Sequence, residues 1–326
     1  MGNMDKLKNA SILVTGGAGF IGSHLCDELL TLGAKVVALD NLSTGREENL
    51  TQAKASDNFE FIKGDVNNFE ELHQIFAKYK FDYIFHYAAV LGVKRVMEQP
   101  LLVLDDIVGT KNILSLAKEF AVKKVVFSSS SEAYGTLNEL PLTEDNGKEL
   151  AYQTHSTTLY ALVKLIGEKM MKVYNDQYDV PTCSLRFFNV FGERQESSDY
   201  GFVVGVFIKK VLQNEPPIIY GTGYQTRDFI YVKDNVRLAI KALLSDQANG
   251  QVINIGLGRQ TTILELAQKI INIGQKDLKP EFLPERGYEI KYRSPDITKM
   301  EKLLGDKIED NLDENLKKIY QYYANK

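Results

Sequence analysis

Three glycines between a short apolar run and a helical pattern place the strongest constraint on how this chain folds. Residues 12–24 read ILVTGGAGFIGSH, with glycine at positions 16, 19 and 22. Glycines at this spacing allow a tight turn out of a strand, a close approach of backbone to a pyrophosphate, and packing of the next helix on the strand. The segment therefore predicts the first strand, turn and helix of a dinucleotide-binding fold.

A carboxylate follows where such a fold contacts the adenosine ribose. Asp40 ends the second apolar run. A carboxylate there can bind both ribose hydroxyls and would repel a 2′-phosphate, which favours NAD over NADP. Asp65 and Val66 follow the third apolar run and are expected to flank the adenine.

Short apolar runs alternate with amphipathic stretches through the first half of the chain. Strands buried on both faces are predicted at 11–15, 35–39, 59–62, 83–86 and 123–127, helices at 21–32, 69–79, 100–120 and 160–178, and a further strand at 182–188. This order gives βαβ units and a parallel sheet. The predicted fold class is α/β, a Rossmann-like doubly wound parallel sheet over residues 1–180. A smaller C-terminal α/β substrate lobe over residues 181–326 is expected to interleave with it.

Composition and charge exclude several classes of function. The chain has 326 residues with 44% hydrophobic and 25% charged side chains, and a formal charge of −4 offers no basic surface for nucleic acid or an anionic membrane. No apolar run reaches the roughly 20 residues of a membrane helix, and the N-terminus is too polar for a signal peptide. Cys26 and Cys183 lack metal-ligand spacing and are expected to be buried thiols. We expect a cytoplasmic protein that binds no metal.

Tyr160 and Lys164 lie one helical turn apart on a predicted helix. A lysine cation lowers the pKa of a nearby phenol, and a tyrosinate can take a hydroxyl proton as hydride leaves the same carbon. The pair is common by itself. After a dinucleotide-binding half it indicates redox chemistry.

Together these motifs resemble the extended short-chain dehydrogenase/reductase family, and more closely its nucleotide-sugar epimerases, dehydratases and decarboxylases. The likeness covers nearly the whole chain and rests on TGGAGFIGSHL, DNLSTG from Asp40, HYAA from His86, Tyr160-x-x-x-Lys164, LRFFNVFG, and YGTGYQTRDFIYVKD, ERG and RSPDITK in the second half. It implies NAD as cofactor and a nucleotide-diphosphate sugar as substrate. It also implies a homodimer formed through the helix that contains Tyr160.

The resemblance assigns the site residue by residue. The cofactor-binding positions are Gly16, Gly19, Phe20, Ile21, Gly22, Asp40, Asn41, Ser43, Gly45, Asp65, Val66, Ala88, Ala89, Ser128 and Lys164. The catalytic positions are Ser130, Ser131, Glu132, Tyr160 and Lys164. The substrate-binding positions are Arg95, Asn189, Arg227 and Arg286, since the fork of arginine fits phosphate oxygens.

One position departs from the family's pattern. The family usually has Asn-x-x-Gly-Thr in the helix after the fourth strand, and this chain has Asp106 in place of the asparagine. A carboxylate cannot donate a hydrogen bond as an amide does, so Asp106 is not assigned to the site.

The segment FSSSSEAYG, residues 127–135, follows the fifth strand at the edge where open α/β sheets bind ligands. Against the family's pattern, Ser130 matches the hydroxyl that binds the 4-oxygen of the sugar. Glu132 matches a glutamate of the dehydratases and decarboxylases that typical 4-epimerases lack.

All three reactions begin with oxidation at C4 of the sugar, and the resulting ketone acidifies the hydrogen on C5. Dehydration needs a base near C5 and decarboxylation needs an acid there, whereas epimerisation needs neither. Glu132 therefore favours 4,6-dehydration of a nucleotide sugar, with a UDP sugar as the expected substrate. UDP-glucuronate decarboxylation is the first alternative, because the RSPDITK segment resembles the decarboxylases somewhat more than the other enzymes of the group. The second alternative is 4-epimerisation. An NAD(H)-binding sensor is the alternative from another class, and the retention of Tyr160, Lys164 and Glu132 disfavours it.

Overall fold

A seven-stranded parallel sheet forms the centre of the computed structural model, which describes residues 4–90, 99, 101–135, 137, 139–145, 157–195, 202–285 and 290–326. The strands are β1 (Ser11–Thr15), β2 (Lys35–Asp40), β3 (Phe59–Lys63), β4 (Tyr83–His86), β5 (Lys124–Ser130), β6 (Thr182–Phe187), β7 (Asn189–Phe191), β8 (Ile218–Tyr220), β9 (Thr226–Arg227), β10 (Phe229–Tyr231), β11 (Gln251–Ile255), β12 (Thr261–Thr262) and β13 (Glu281–Leu283). The sheet runs in the order β11-β6-β5-β4-β1-β2-β3. This is the doubly wound order of a dinucleotide-binding fold, with its crevice between β1 and β4. The predicted fold class is confirmed.

Helices cover both faces of the sheet. The helices in the described part of the chain are α1 (Phe20–Thr31), α2 (Phe69–Tyr79), α3 (Leu102–Glu119), α4 (Thr157–Gln177), α5 (Val203–Leu212), α6 (Val232–Leu244), α7 (Ile263–Ile273), α8 (Thr298–Leu304) and α9 (Leu312–Ala324). The side chains of β1 point alternately to the two faces of the sheet and enter two separate hydrophobic cores. Ile12 and Val14 pack in the core with α1 and α6, and Leu13 packs in the core with α2 and α3. In the described residues, no helix is long and apolar enough to cross a bilayer.

Two details of the central strands differ from the sequence-based expectation. The prediction that the third strand is buried on both faces is wrong, because β3 lies at the edge of the sheet and Glu60 and Lys63 are exposed. The fifth strand extends three residues past the predicted end at Phe127, because Ser128–Ser130 still pair with β6. The serines therefore reach the carboxyl edge as part of the rigid sheet.

The described residues of the second half contribute to the central sheet and also build three two-stranded sheets. β6 and β11 are parallel strands of the central sheet, so residues on both sides of position 180 share it. The small sheets pair β7 with β10, β9 with β12, and β8 with β13. The division into domains at residue 180 stays a prediction. Both cysteines are buried free thiols, as expected.

Candidate active site

The glycine turn leaves no room for side chains. Gly16 has a φ of +68°, and a Cβ added there would come within 2.8 Å of the Ala88 backbone nitrogen. A Cβ on Gly22 would lie 2.2 Å from the carbonyl oxygen of Gly16. Gly19 is the N-cap of α1 and supplies no side-chain cap to the first amides of the helix. The turn therefore presents the amino end of α1 at the crevice, where an anionic pyrophosphate binds favourably.

Asp40 is positioned for a ribose. Its carboxylate accepts hydrogen bonds from the backbone nitrogens of Ala18 at 3.0 Å and Leu42 at 2.8 Å. A Cβ on Gly45 would lie 2.7 Å from both carboxylate oxygens, so glycine at that position lets the chain pass close to them. Burial raises the pKa of Asp40, and the backbone hydrogen bonds counteract that shift. The geometry fits a carboxylate that binds ribose hydroxyls.

The polar residues after β2 and β3 meet at the same edge. Asn41 donates from Nδ2 to Oδ2 of Asp65 at 3.0 Å and accepts from the Ser43 nitrogen at 3.0 Å. Val66 packs against Gly109 of α3, where an added Cβ would lie 2.6 Å from Cγ2 of the valine. The structure thus brings together the residues predicted to surround the adenosine.

Thr15 holds the loop after β4, a role that the sequence analysis missed. Its Oγ1 accepts from the backbone nitrogens of Tyr87 at 3.1 Å and Ala88 at 3.2 Å, and lies 2.8 Å from Nδ1 of His86. Burial lowers the pKa of His86 to about 3, so the ring is neutral. Because Oγ1 of Thr15 already accepts two hydrogen bonds and Oγ1 of Thr110 donates to the Asp106 carbonyl at 2.7 Å, we assign the tautomer that accepts at Nδ1 from Thr15 and donates from Nε2 to Thr110 at 3.1 Å. The signal was a hydroxyl residue directly before the glycine turn.

The remaining predicted cofactor positions lie along the crevice. Phe20 and Ile21 open α1 and are partly exposed, as are Ala88 and Ala89 after β4. Ser128 donates from Oγ to the His86 carbonyl at 3.3 Å.

Tyr160 and Lys164 meet the end of β5. Lys164 is 2% exposed, donates from Nζ to the Ser128 carbonyl at 2.8 Å, and lies 5.6 Å from the centre of the Tyr160 ring. Burial lowers the pKa of Lys164 to about 8 and raises that of Tyr160, while the side chain of Ser130 favours the ionised phenol and opposes the rise. The arrangement can exchange a proton with a hydroxyl held by Ser130.

Ser130 also caps the short 3-10 helix Ser131–Tyr134, since its Oγ accepts from the Glu132 nitrogen at 3.2 Å. This turn places Glu132 two residues after Ser130, with 46% of its side chain exposed. The side chain of Ser131 is buried. Glu132 is therefore a partly exposed acidic group near the hydroxyl of Ser130.

Arg293 is a buried cation from a distant segment that contacts this turn, and the sequence analysis did not single it out. Its side chain is 2% exposed, and its guanidinium donates to the carbonyls of Ser131 at 2.9 Å and Gly135 at 3.1 Å. Its Nη2 lies 3.6 Å from Oε1 of Glu132. The positive charge of Arg293 and the negative charge of Glu132 therefore offset each other beside the proton-transfer site.

The predicted substrate-binding residues are only partly described. Asn189 begins β7 and pairs in register with Phe229 of β10, two residues after Arg227. Arg227 donates from Nη1 to the Thr226 carbonyl at 2.8 Å. Arg95 and Arg286 lie outside the described residues.

Comparisons with known proteins agree with this geometry. A model of the NAD dependent epimerase/dehydratase family matches residues 12–256. The chain is 37% identical to a putative UDP-glucose 4-epimerase of Methanocaldococcus jannaschii, over 96% of this chain and 98% of that protein. It is 34% identical to a UDP-N-acetyl-alpha-D-glucosaminuronate decarboxylase of Bacillus cytotoxicus, over 95% of this chain and 97% of that protein.

A solved structure is similar along almost its whole length. It is UDP-glucuronic acid 4-epimerase from Bacillus cereus in complex with UDP-glucuronic acid and NAD, at 31% identity and a TM-score of 0.86, covering 96% of this chain and 98% of that one. The glycine turn and the Asp40 carboxylate fit NAD in the present structure. The chain therefore belongs to the NAD dependent epimerase/dehydratase family, enzymes with an extended short-chain dehydrogenase/reductase fold and NAD as cofactor.

Proposed function

We propose that the chain decarboxylates a UDP-linked uronic acid after oxidation at C4 of the sugar. The observation that carries this proposal is the Glu132–Arg293 pair beside Ser130 and Tyr160. In a uronic acid, C6 is a carboxylate attached to C5, next to the C4 oxygen that Ser130 would hold. A lone Glu132 would repel that carboxylate. The guanidinium of Arg293 offsets this repulsion, a compensation that the neutral C6 of a dehydratase substrate does not require.

The residues divide the chemistry among them. NAD, when bound, supplies the acceptor and donor of hydride at C4. Tyr160 takes the proton of the 4-hydroxyl, with Ser130 orienting the oxygen and Lys164 stabilising the tyrosinate. Because the pKa of Lys164 is about 8, most of it is the ammonium form at pH 7.

Loss of the carboxylate follows from the ketone. With C4 oxidised, the C6 carboxylate is β to a carbonyl, so the electrons of the C5–C6 bond pass to the C4 oxygen as carbon dioxide leaves. The resulting enolate needs a proton at C5. Glu132, on the turn that follows Ser130 and partly exposed to solvent, is the group proposed to take up a proton from water and deliver it to C5.

Epimerisation at C4 is the second candidate. The Tyr160–Lys164–Ser130 arrangement suffices for that reaction without Glu132, and the relatives include a putative 4-epimerase at 37% identity. The 4,6-dehydration favoured in the sequence analysis stays a prediction, in which Glu132 would remove the C5 proton.

Mass spectrometry in D₂O separates the three reactions. The NAD-loaded protein is incubated with UDP-glucuronate, UDP-N-acetylglucosaminuronate, UDP-glucose and UDP-N-acetylglucosamine. Loss of carbon dioxide with deuterium at C5 supports the proposal. Loss of water with deuterium at C5 identifies a dehydratase, and an isomer without deuterium identifies an epimerase. NAD binding without turnover of any sugar favours the sensor.

We also propose that the chain forms a homodimer through α4. Leu162, Ile166 and Val173 form an apolar stripe on this helix and are 37%, 40% and 40% exposed. Leu104 and Val108 of the neighbouring α3 are 38% and 48% exposed. A second copy would remove these side chains from water.

A further inference from the structure

The short 3-10 helix that contains Glu132, here called the Glu132 turn (Ser131–Tyr134), is held differently at its two ends. Ser130, directly before it, is the last residue of β5 and pairs in register with β6. Tyr134, at the far end, lies past the sheet, and its buried side chain donates from the hydroxyl to Oδ1 of Asn254 at 2.7 Å. The sheet therefore fixes the residue before the turn, whereas a side-chain hydrogen bond to β11 fixes the end of the turn.

Asn254 is fully buried in β11, the edge strand of the central sheet, and both polar atoms of its side chain have partners. Its Nδ2 donates to the carbonyls of Leu142 at 2.9 Å and Asp296 at 3.2 Å, and its Oδ1 accepts from Tyr134. Because the two carbonyls can only accept, the amide nitrogen must face them and the amide oxygen must face the tyrosine. The side chain thus binds three separate segments at one point.

Leu142 connects this amide to the segment that contains Arg293. The backbone nitrogen of Leu142 donates to the Ser294 carbonyl at 2.9 Å. Its carbonyl accepts from the Asp296 nitrogen at 2.8 Å as well as from Asn254. The amide of Asn254 therefore also fixes the backbone that follows Arg293.

The guanidinium of Arg293 completes the connection at the turn itself. It donates to the carbonyls of Ser131 at 2.9 Å and Gly135 at 3.1 Å, on either side of Glu132. Its Nη2 lies 3.6 Å from Oε1 of Glu132. The placement of the carboxylate relative to the guanidinium thus depends on contacts that converge on Asn254, and the strand pairing that holds β5 is separate from them.

We propose that Asn254 is a positioning residue that places Glu132 and Arg293 against C5 of the sugar, independently of the residues that act at C4. The inference rests on the proposed function, in which Glu132 delivers a proton to the C5 enolate. Oxidation at C4 depends on Tyr160 and Ser130, and hydride can return only after protonation at C5 has restored the C4 ketone. Loosening the contacts of Asn254 therefore slows the second half of the cycle and leaves the first.

The test follows the absorbance of reduced NAD after NAD-loaded protein is mixed with UDP-glucuronate or UDP-N-acetylglucosaminuronate in a stopped-flow instrument. The signal rises on oxidation at C4 and falls when hydride returns. Tyr134→Phe removes the hydroxyl and keeps the ring, whereas Asn254→Ala also frees the carbonyls of Leu142 and Asp296. In Tyr134→Phe we expect the rise to stay within about twofold of the wild type and the fall to slow at least about tenfold, because a misplacement of about 1 Å can cost about 10²-fold. Asn254→Ala should slow the fall further.

Tyr323→Phe is the matched control. It also removes one tyrosine hydroxyl, which in this case donates to the carbonyl of Gln195. Tyr323 packs against the core that contains α1 and α6, whereas Tyr134 belongs to a separate apolar cluster with Leu142. Both changes should lower Tm, but Tyr323→Phe should keep the wild-type ratio of the rates of rise and fall. Lost stability by itself does not alter that ratio.

Two results would overturn the inference. One is a fall that keeps its wild-type rate in the variants of Tyr134 and Asn254. The other is a rise and a fall slowed by the same factor, which would make Asn254 a residue of the scaffold and nothing more. If Asn254→Ala does not fold, Tyr134→Phe decides.

The wild-type reaction in D₂O tests the proposed function separately. Release of carbon dioxide supports that function, and the variants then test the inference. Loss of water with deuterium at C5 would overturn the proposed function, but slower deuteration at C5 in the variants would still support the role of Asn254. An isomer without deuterium at C5 would overturn both, since Glu132 would then have no part in the reaction.

Discussion

The buried ion pair under the catalytic loop offers a quantitative test of how this site is supported. Glu168 on α4 accepts from Nε of Arg186 at 2.7 Å and from its Nη2 at 2.8 Å, and Arg186 is fully buried. Ser129 donates to the same carboxylate at 2.6 Å. Arg186 also lies 4.5 Å from the ring centre of Tyr134, whose hydroxyl donates to Asn254 at 2.7 Å. The network thus braces both ends of the segment that bears Ser130 and Glu132.

Replacing Glu168 by glutamine keeps the shape and removes the charge. Arg186 would then be a buried cation without its counterion, and we expect a loss of about 3–5 kcal/mol in the free energy of unfolding. For a chain of this size that corresponds to a fall of roughly 4–7 °C in Tm. Urea and thermal unfolding of the NAD-free protein measure the change. Turnover should fall as well, since Ser129 loses its fixed partner next to Ser130.

The control lies on the same helix. Lys172 and Asp176 form an ion pair whose side chains are 54% and 44% exposed, and because solvent screens this pair, Asp176→Asn should leave Tm within about 1 °C of the wild type. If Glu168→Gln destabilised the protein no more than Asp176→Asn, the reasoning that Arg186 depends on its buried partner would be refuted.

Four further predictions address NAD binding, the role of Tyr160 as base, the ammonium of Lys164 and the assembly. Gly22→Ala should weaken NAD binding at least about a hundredfold, roughly 3 kcal/mol, because the new Cβ would lie 2.2 Å from the carbonyl oxygen of Gly16. Calorimetry measures the dissociation constant of NAD, and an affinity equal to that of the wild type would contradict the fit of the glycine turn to NAD. Tyr160→Phe should slow reduction of bound NAD by about 10²–10⁴-fold, and a rate near wild type would exclude Tyr160 as the base. The pKa of Lys164 is lowered to about 8 in the folded protein, so kcat should decline above that pH as the ammonium is lost. The Lys164→Met variant should turn over much more slowly, and its kcat should lack this decline. Ile166→Glu should convert the proposed dimer to a monomer in sedimentation velocity, and an unchanged sedimentation coefficient would place the interface elsewhere.

Local patterns in the sequence determined most of the architecture. Apolar runs and helical periodicity report which residues must be buried, and they predicted β1, β4 and α2 with the bounds that the structure shows. The glycine spacing predicted the tight turn between β1 and α1, because only glycine at position 22 allows α1 to approach the backbone of Gly16 so closely. Periodicity does not report edge position, which is why β3 was wrongly expected to be buried on both faces.

The partners of the site residues were decided by the tertiary structure. Arg293 reaches Ser131 across 162 positions of the chain, and Thr15 reaches His86 across 71. Asp106 departs from the pattern in the sequence, yet its hydrogen bonds to Val90 and the packing of the adjacent Ile107 in one cluster with Tyr160 emerge only when α3 packs against α4. Residue types and local spacing specify elements because helices and strands are stabilised by near neighbours. Distances between charges on different elements depend on how all the side chains between them pack, and no short segment of the sequence contains that information.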